Sequence, residues 1–219
     1  MTTLILIPSP IEWNILTGVP PKSDLASTEP IFTLSRGNCV WALCGIGPAS
    51  AAMTASILIS RLQPARVILA GIAGAFPQSQ LETGAIVQVS EECFADLGYE
   101  NGGQWFNLDK MNLPMLPLAG RSLGCSHPLR LLDENQPHAS AITVSTVTSS
   151  HERADALWRN YRAGLENMEG AAIAMVCALF NMPFHEIRAV SNLVGPRDPA
   201  SWQVRGPLQE LGEWLTQRL

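Results

Sequence analysis

Apolar residues fall along this chain in short blocks separated by turn formers. Leu4 to Ile7 is a continuous apolar run, stopped by Pro8-Ser9-Pro10. A run of that length predicts a strand buried on both faces. Val40 to Leu43 predicts a second strand, closing at Cys44-Gly45-Ile46-Gly47-Pro48, and a long helix of small residues is expected from Ala49 to Leu62. Val67 to Ala70 predicts a third strand with a glycine turn, Gly71-Ile72-Ala73-Gly74, behind it, and Ala85 to Val89 predicts a fourth. From Gly98 to Pro137 the chain is rich in Gly, Pro and Asn, which predicts one strand-like element among long loops. Ala141 to Val147, rich in β-branched residues, predicts a strand, Glu152 to Arg162 an exposed helix, and Gly164 to Met168 a short strand. After Glu169 the run GAAIAMVCALF is apolar nearly all round, as in a buried helix, and it stops near Asn181 with Pro183 just beyond. Ile187 to Val190 predicts the last central strand and Leu208 to Leu219 a terminal amphipathic helix.

Strands alternating with helices predict an α/β fold: one domain over residues 1–219, with a central twisted, mixed, largely parallel sheet flanked by helices. Ligands of such sheets bind beyond the carboxyl ends of the strands. No tandem repeat or low-complexity segment interrupts the 219 residues.

Composition narrows the function classes. Charged residues make up 15% of the chain, against about 25% in a typical soluble domain. So little charge predicts that a second subunit covers part of the surface, in a homodimer or larger assembly. A net charge of −5 with no Lys/Arg cluster argues against nucleic acid as a partner. The start, MTTLILIPSP, has no basic leader and too short an apolar run for secretion, so a cytoplasmic protein is expected. The uncharged stretch from Asn38 to Ser60 holds Gly45, Gly47 and Pro48, which suits strand, turn and buried helix and not a bilayer span. Five cysteines, at 39, 44, 93, 125 and 177, lack metal or redox spacing and read as buried thiols.

Candidate chemistry is sparse. Gly45-x-Gly47 has Ser50 where a dinucleotide fingerprint needs its last glycine, no phosphate-loop motif occurs, and the four histidines are isolated, so neither cofactor nor metal is expected. Glu12 follows the first strand at the ligand end of the sheet; its plainer reading is a carboxylate favoured by a helix dipole. Glu169 is the only charge between Asn167 and Phe184, at the mouth of a buried helix, and needs partners or a ligand there. An ionised carboxylate can accept from two sugar hydroxyls at once. Arg188, inside a buried strand, needs a carboxylate neighbour, and a structural ion pair with one of those glutamates would satisfy it. Asn192 and Asp198 lie just past that strand and are left unassigned by spacing alone.

Together these residues resemble the nucleoside phosphorylase and nucleosidase superfamily. The resemblance runs along essentially the whole chain and is carried by Glu12, CGIGPASAA at 44–52, LAGIAGAF at 69–76, LENMEGAAIA at 165–174 and IRAVSN at 187–192. The middle third matches loosely. Within the superfamily, TVSTVTSS, ENMEG and SNLVGPRDPASW are most similar to the futalosine hydrolases, which release hypoxanthine from futalosine, an inosine-like nucleoside with a carboxyphenyl tail, in an alternative menaquinone pathway. The resemblance implies a nucleoside substrate and cleavage through an oxocarbenium-like sugar. It places Glu169 on the ribose hydroxyls with Met168 packed on the sugar, and Glu12 on the attacking water with Arg188 and Ser191 ordering it. Ala73 and Gly74 would offer backbone contacts near base and sugar.

The departures from the superfamily also point somewhere. Leu69 stands where phosphorylases carry a phosphate-anchoring arginine, and Glu12 would repel phosphate, so water is the expected nucleophile. Adenine-specific nucleosidases have Asp at the place of Asn192; an amide donates to N7 and a 6-oxo group without a buried charge, which favours hypoxanthine. Asn167 likewise replaces a glutamate of those enzymes. Asp198 is a candidate proton donor to the purine, and Arg197 a candidate for the tail carboxylate, with Arg36 and Arg205 behind it. The competing readings are an adenine-specific nucleosidase, a purine nucleoside phosphorylase and a non-catalytic nucleoside binder.

Overall fold

A computed structural model describes residues 2–21, 30–102 and 104–219. In chain order the elements are β1 (Thr3–Ile7), α1 (Pro10–Thr17), β2 (Thr33–Arg36), β3 (Cys39–Leu43), α2 (Pro48–Leu62), β4 (Arg66–Ala75) and β5 (Ile86–Phe94). Five short strands follow: β6 (Gly98–Asn101), β7 (Gln104–Asn107), β8 (Leu116–Leu118), β9 (Arg121–Leu123) and β10 (Ser126–Pro128). The chain ends with β11 (His138–Thr143), α3 (His151–Tyr161), β12 (Leu165–Asn167), α4 (Gly170–Leu179), β13 (Phe184–Leu193) and α5 (Arg205–Thr216).

The fold is α/β, built on a mixed nine-stranded sheet. β1 pairs in parallel with β3 and β4, β11 with β5 and β12, and β13 with β4. The pairs β2–β3, β10–β5, β12–β4 and β13–β5 are antiparallel. Because β13 joins both β4 and β5, strands β4, β13, β5, β11 and β12 close into a ring, with β1, β3 and β2 continuing outward from β4. With five parallel and four antiparallel pairings, the expected mixed sheet is present, with an added closure. The interior of so narrow a ring is filled mostly by small side chains, Ala73 and Ala75 from β4, Val87 and Val89 from β5, Ala141 and Val190, with Leu165 from β12 the one larger member.

Outside the ring the period-two alternation of β1 sorts its side chains into two layers. Leu4 and Leu6 pack with Leu69 beneath α2 and α4. Ile5 and Ile7 pack with Ile68 beneath α1 and α5, where Trp13, Leu211 and Trp214 cover them. Each such side chain contributes roughly 1.5–3 kcal/mol on burial. All five cysteines are buried, and none of the described helices is long and apolar enough to cross a membrane.

Two expectations are corrected. Gly71 to Gly74 is not a turn: β4 runs on to Ala75, because Ile72 and Ala73 pair with β13, and Gly74 with both β13 and β12. Ladder bonds on both edges override the weak strand preference of glycine. The segment between Gly98 and Pro137 holds two hairpins, β6–β7 and β8–β9, and the edge strand β10, where one strand-like element was expected. In smaller measure, β13 extends to Leu193, so Ser191 and Asn192 lie within the strand, across a bulge opposite Gly74.

Candidate active site

Proline and serine set the entry to α1. Pro10 starts the helix with the fixed φ that its first turn needs, and Ser9 Oγ accepts from Glu12 N at 3.2 Å as the cap. This pins Glu12 at the carboxyl end of β1. Its Oε1 accepts from Ile72 N at 2.8 Å, and Arg188 Nη1 donates to Ile72 O at 3.1 Å. One peptide residue of β4 is thus gripped from both sides. Gly71 makes the grip possible, since a β-carbon there would stand 2.6 Å from Glu12 Oε1 and 3.1 Å from both Arg188 Nη1 and Pro8 Cδ.

Glu169 occupies the N-cap position of α4, but its side chain caps nothing in that helix. It accepts instead from Gly47 N at 3.1 Å and from Arg188 Nη2 at 3.4 Å. The first amides of α4 are served by others: Asn167 Oδ1 accepts from Glu169 N and Gly170 N, and Thr143 Oγ1 from Ala171 N. Arg188, 1% exposed, also donates from Nε to Glu186 Oε1 at 2.7 Å. Burial alone would make the guanidinium less basic, but Glu186 and Glu169 beside it more than reverse that. Burial likewise raises the Glu12 pKa above the ordinary carboxylate value, against the lowering by its bonds to Ser9 and Ile72.

These groups surround a cavity of about 230 Å³. Of the residues singled out from sequence, Glu12, Ala73, Gly74, Met168, Glu169, Ser191 and Asn192 line it together. Arg188 lies directly behind, reaching Glu169 and Ile72. Ser191 Oγ stands 2.8 Å from Asn192 Oδ1 and 3.3 Å from Ala73 O. Arg197 and Asp198 are not brought into the lining. Arg197 is exposed and stacks over Trp202, which does line the cavity, with its guanidinium 5.7 Å from the ring centroid. Asp198 is exposed and bonds within its own loop, accepting from Ala200 N. Arg36 is spent on the carbonyl of Thr17, and Arg205 is exposed at the start of α5.

Sequence reasoning missed Glu166, Thr148 and Trp202 on the cavity wall, and Glu186 behind it. Glu186 had a signal: opposite charges two residues apart in an apolar strand share a face and pair there. Glu166 is buried, with a carboxyl bonded by the amide and hydroxyl of Thr148; burial nevertheless raises its pKa. The lining therefore carries three glutamates and, among the described residues, no lysine or arginine.

Known proteins resemble this chain along most of its length. The family model described as the phosphorylase superfamily matches residues 16–217. A futalosine hydrolase of Thermus thermophilus is 34% identical over 211 residues, covering 91% of each chain. A futalosine hydrolase of Streptomyces coelicolor is 30% identical over 225 residues, covering 96% of this chain and 92% of its own. Among solved structures, 5'-methylthioadenosine/S-adenosylhomocysteine nucleosidase from Helicobacter pylori superposes with a TM-score of 0.78 at 16% identity, covering 100% of this chain and 97% of its own, a likeness of fold. With a match of that extent, this chain belongs to the phosphorylase superfamily.

Proposed function

We propose that this chain is a hydrolase of futalosine, cleaving its N-ribosidic bond with water and releasing hypoxanthine. The observation that carries the reading is the cavity wall: Glu12, Glu166 and Glu169 face it with no cation among its described residues. Such a wall stabilises a sugar that develops positive charge and repels phosphate as a nucleophile. Leu69, where a phosphate-binding arginine would stand, is fully buried in the core. The identity to the two futalosine hydrolases supports the substrate.

In this mechanism Glu169 accepts from the ribose hydroxyls while Met168 packs on the sugar. Glu12, with Oε1 engaged by Ile72 N, uses its other oxygen to take a proton from the attacking water. A base whose pKa is raised accepts that proton more readily. Arg188 holds Glu169 and the Ile72 carbonyl in register, and Ser191 helps to order the water. Asn192 meets the purine with an amide that suits a 6-oxo base, while Ala73 and Gly74 offer backbone close to it. Arg197, whose guanidinium stacks over the cavity-lining Trp202, is the cation we propose for the tail carboxylate. The departing purine takes up a proton, and Asp198, exposed on the loop that carries Arg197, is the carboxyl we propose to supply it. The working unit is one domain acting as a homodimer or larger assembly.

The test is chromatography of purine released from futalosine, inosine and methylthioadenosine, with and without phosphate. The expected result is hypoxanthine from futalosine at equal rates in both buffers. Dependence on phosphate, or faster cleavage of methylthioadenosine, would overturn the reading.

A further inference from the structure

A second layer of charge lies behind the cavity. Glu92, from β5, is fully buried, and Glu186, from β13, is 1% exposed. A β-carbon on Gly170 would stand within 2.5 Å of both Glu92 Oε1 and Glu186 Oε2, so the two carboxyl groups meet across the first residue of α4. Three of their four oxygens have donors. Glu92 Oε1 takes Asn167 Nδ2, Glu92 Oε2 takes Thr143 Oγ1 at 2.9 Å, and Glu186 Oε1 takes Arg188 Nε at 2.7 Å. Glu186 Oε2 has none. A bare carboxylate oxygen buried against another carboxylate is strongly unfavourable, and one proton between the two turns the repulsion into a hydrogen bond.

The charged groups facing this pair are Arg188 on β13 and Glu169 at the head of α4; the titratable His127 on β10 stands opposite Glu92 in the ladder, and burial lowers its pKa and favours its neutral form. Asn167 and Thr143, its other neighbours, are neutral. Burial raises the proton affinity of both carboxyls, and for Glu92 the charge of Glu186 adds to it.

We propose that Glu92 and Glu186 hold one proton in common, and that this protonated pair positions Glu169 for its substrate. The coupling runs through hydrogen bonds already described. Glu92 orients the Asn167 amide and the Thr143 hydroxyl, and these two cap the amides of Glu169, Gly170 and Ala171. Glu169 is thereby relieved of capping its own helix, and its carboxylate is free to face the cavity. The shared proton keeps the pair at a single negative charge, which Arg188 balances, so the charge of Glu169 is left for the ligand. The inference rests on the reading of Glu169 as the ribose-binding carboxylate.

Two substitutions and two readouts test it. The amide of Glu186→Gln can accept from Arg188 and donate to Glu92, reproducing the proton permanently. In Glu92→Gln an NH₂ group facing Asn167 Nδ2 loses that bond, while one facing Thr143 Oγ1 turns the hydroxyl proton to Asn167 Oδ1, 3.3 Å away, and leaves Glu186 Oε2 opposite an amide oxygen with no donor. Glu92→Gln is expected to lower kcat/KM by about 10–100-fold, the cost of one unmet buried group, with Glu186→Gln losing far less.

The second readout needs no substrate. A pair whose proton affinity rises on folding adds stability below the ordinary carboxylate range, and that stability is lost as pH climbs through the raised value. From pH 5 to 9, Tm of the parent protein should therefore fall relative to Glu186→Gln by about 3 °C or more. Parallel Tm curves, or equal losses of kcat/KM in both variants, overturn the shared proton. Failure of the parent protein to cleave futalosine would instead overturn the functional reading and leave the Tm comparison standing.

Discussion

Glu12 is held by three features at once: its amide by Ser9, one carboxylate oxygen by Ile72 N, and its whole side chain by burial to 4% exposure. Burial wins over the two hydrogen bonds and raises its pKa from the ordinary 4.5. A base must be ionised to act, so kcat/KM should fall as pH drops through that raised value. Glu12→Gln should cost roughly 10²–10⁴-fold in kcat and abolish this acid limb, while a nucleoside analogue still binds in calorimetry. The sign for stability is opposite. The fold favours the protonated side chain, so the contribution of Glu12 to stability is fully present below pH 4.5 and is lost as pH rises through the folded value. Glu12→Gln should therefore melt higher than the parent at pH 8. Glu12 and Glu169 were legible as charges bordering apolar runs. Glu92 was not, because it falls beyond the strand predicted over Ala85 to Val89 and next to a second charge, Glu91. Tertiary contacts bury it, between β10 and β11 in the sheet and beneath Gly170 of α4.

Among the elements, β4 shows how a glycine can serve a strand it does not favour. Gly71 keeps its ladder bonds to β13 while leaving space for Glu12, Arg188 and Pro8 against its α-carbon. The methyl of Gly71→Ala has nowhere to go, since Pro8 Cδ is part of a ring and Arg188 is tied to Glu186, Glu169 and Ile72. The substitution should cost about 1–3 kcal/mol in denaturant unfolding and lower kcat by up to about 10²-fold through displacement of Glu12. From sequence alone, continuous apolar runs gave away β1, β3 and the first half of β4, because strands covered on both faces need no polar side. The glycines of β4 were misread as a turn because local preference carries no information about ladders formed on two edges. The hairpins β6–β7 and β8–β9 lacked alternation, since most of their residues are exposed or half-buried and no core face imposes a period.

At the scale of the molecule, ring closure was the hidden property. It depends on β13 reaching β5 about a hundred residues earlier, and no local pattern encodes that pairing. The small residues of β4, β5 and β11 were visible but fit a flat buried sheet equally well. Large apolar side chains remain outside, among them Ile11, Met53 and Ile46, the last beside the cavity mouth. With 15% charge overall, they favour self-association, and light scattering should return at least twice the 23.7 kDa of one chain. The Ile72 peptide, gripped by Glu12 and Arg188, has a consequence for spectroscopy. Its amide proton rests on the carboxylate whose ionisation the reaction needs, so its resonance lies downfield while Glu12 is charged and moves upfield on protonation. A pH series on a single backbone peak of the ligand-free protein would then trace the titration of Glu12, with its midpoint above 4.5.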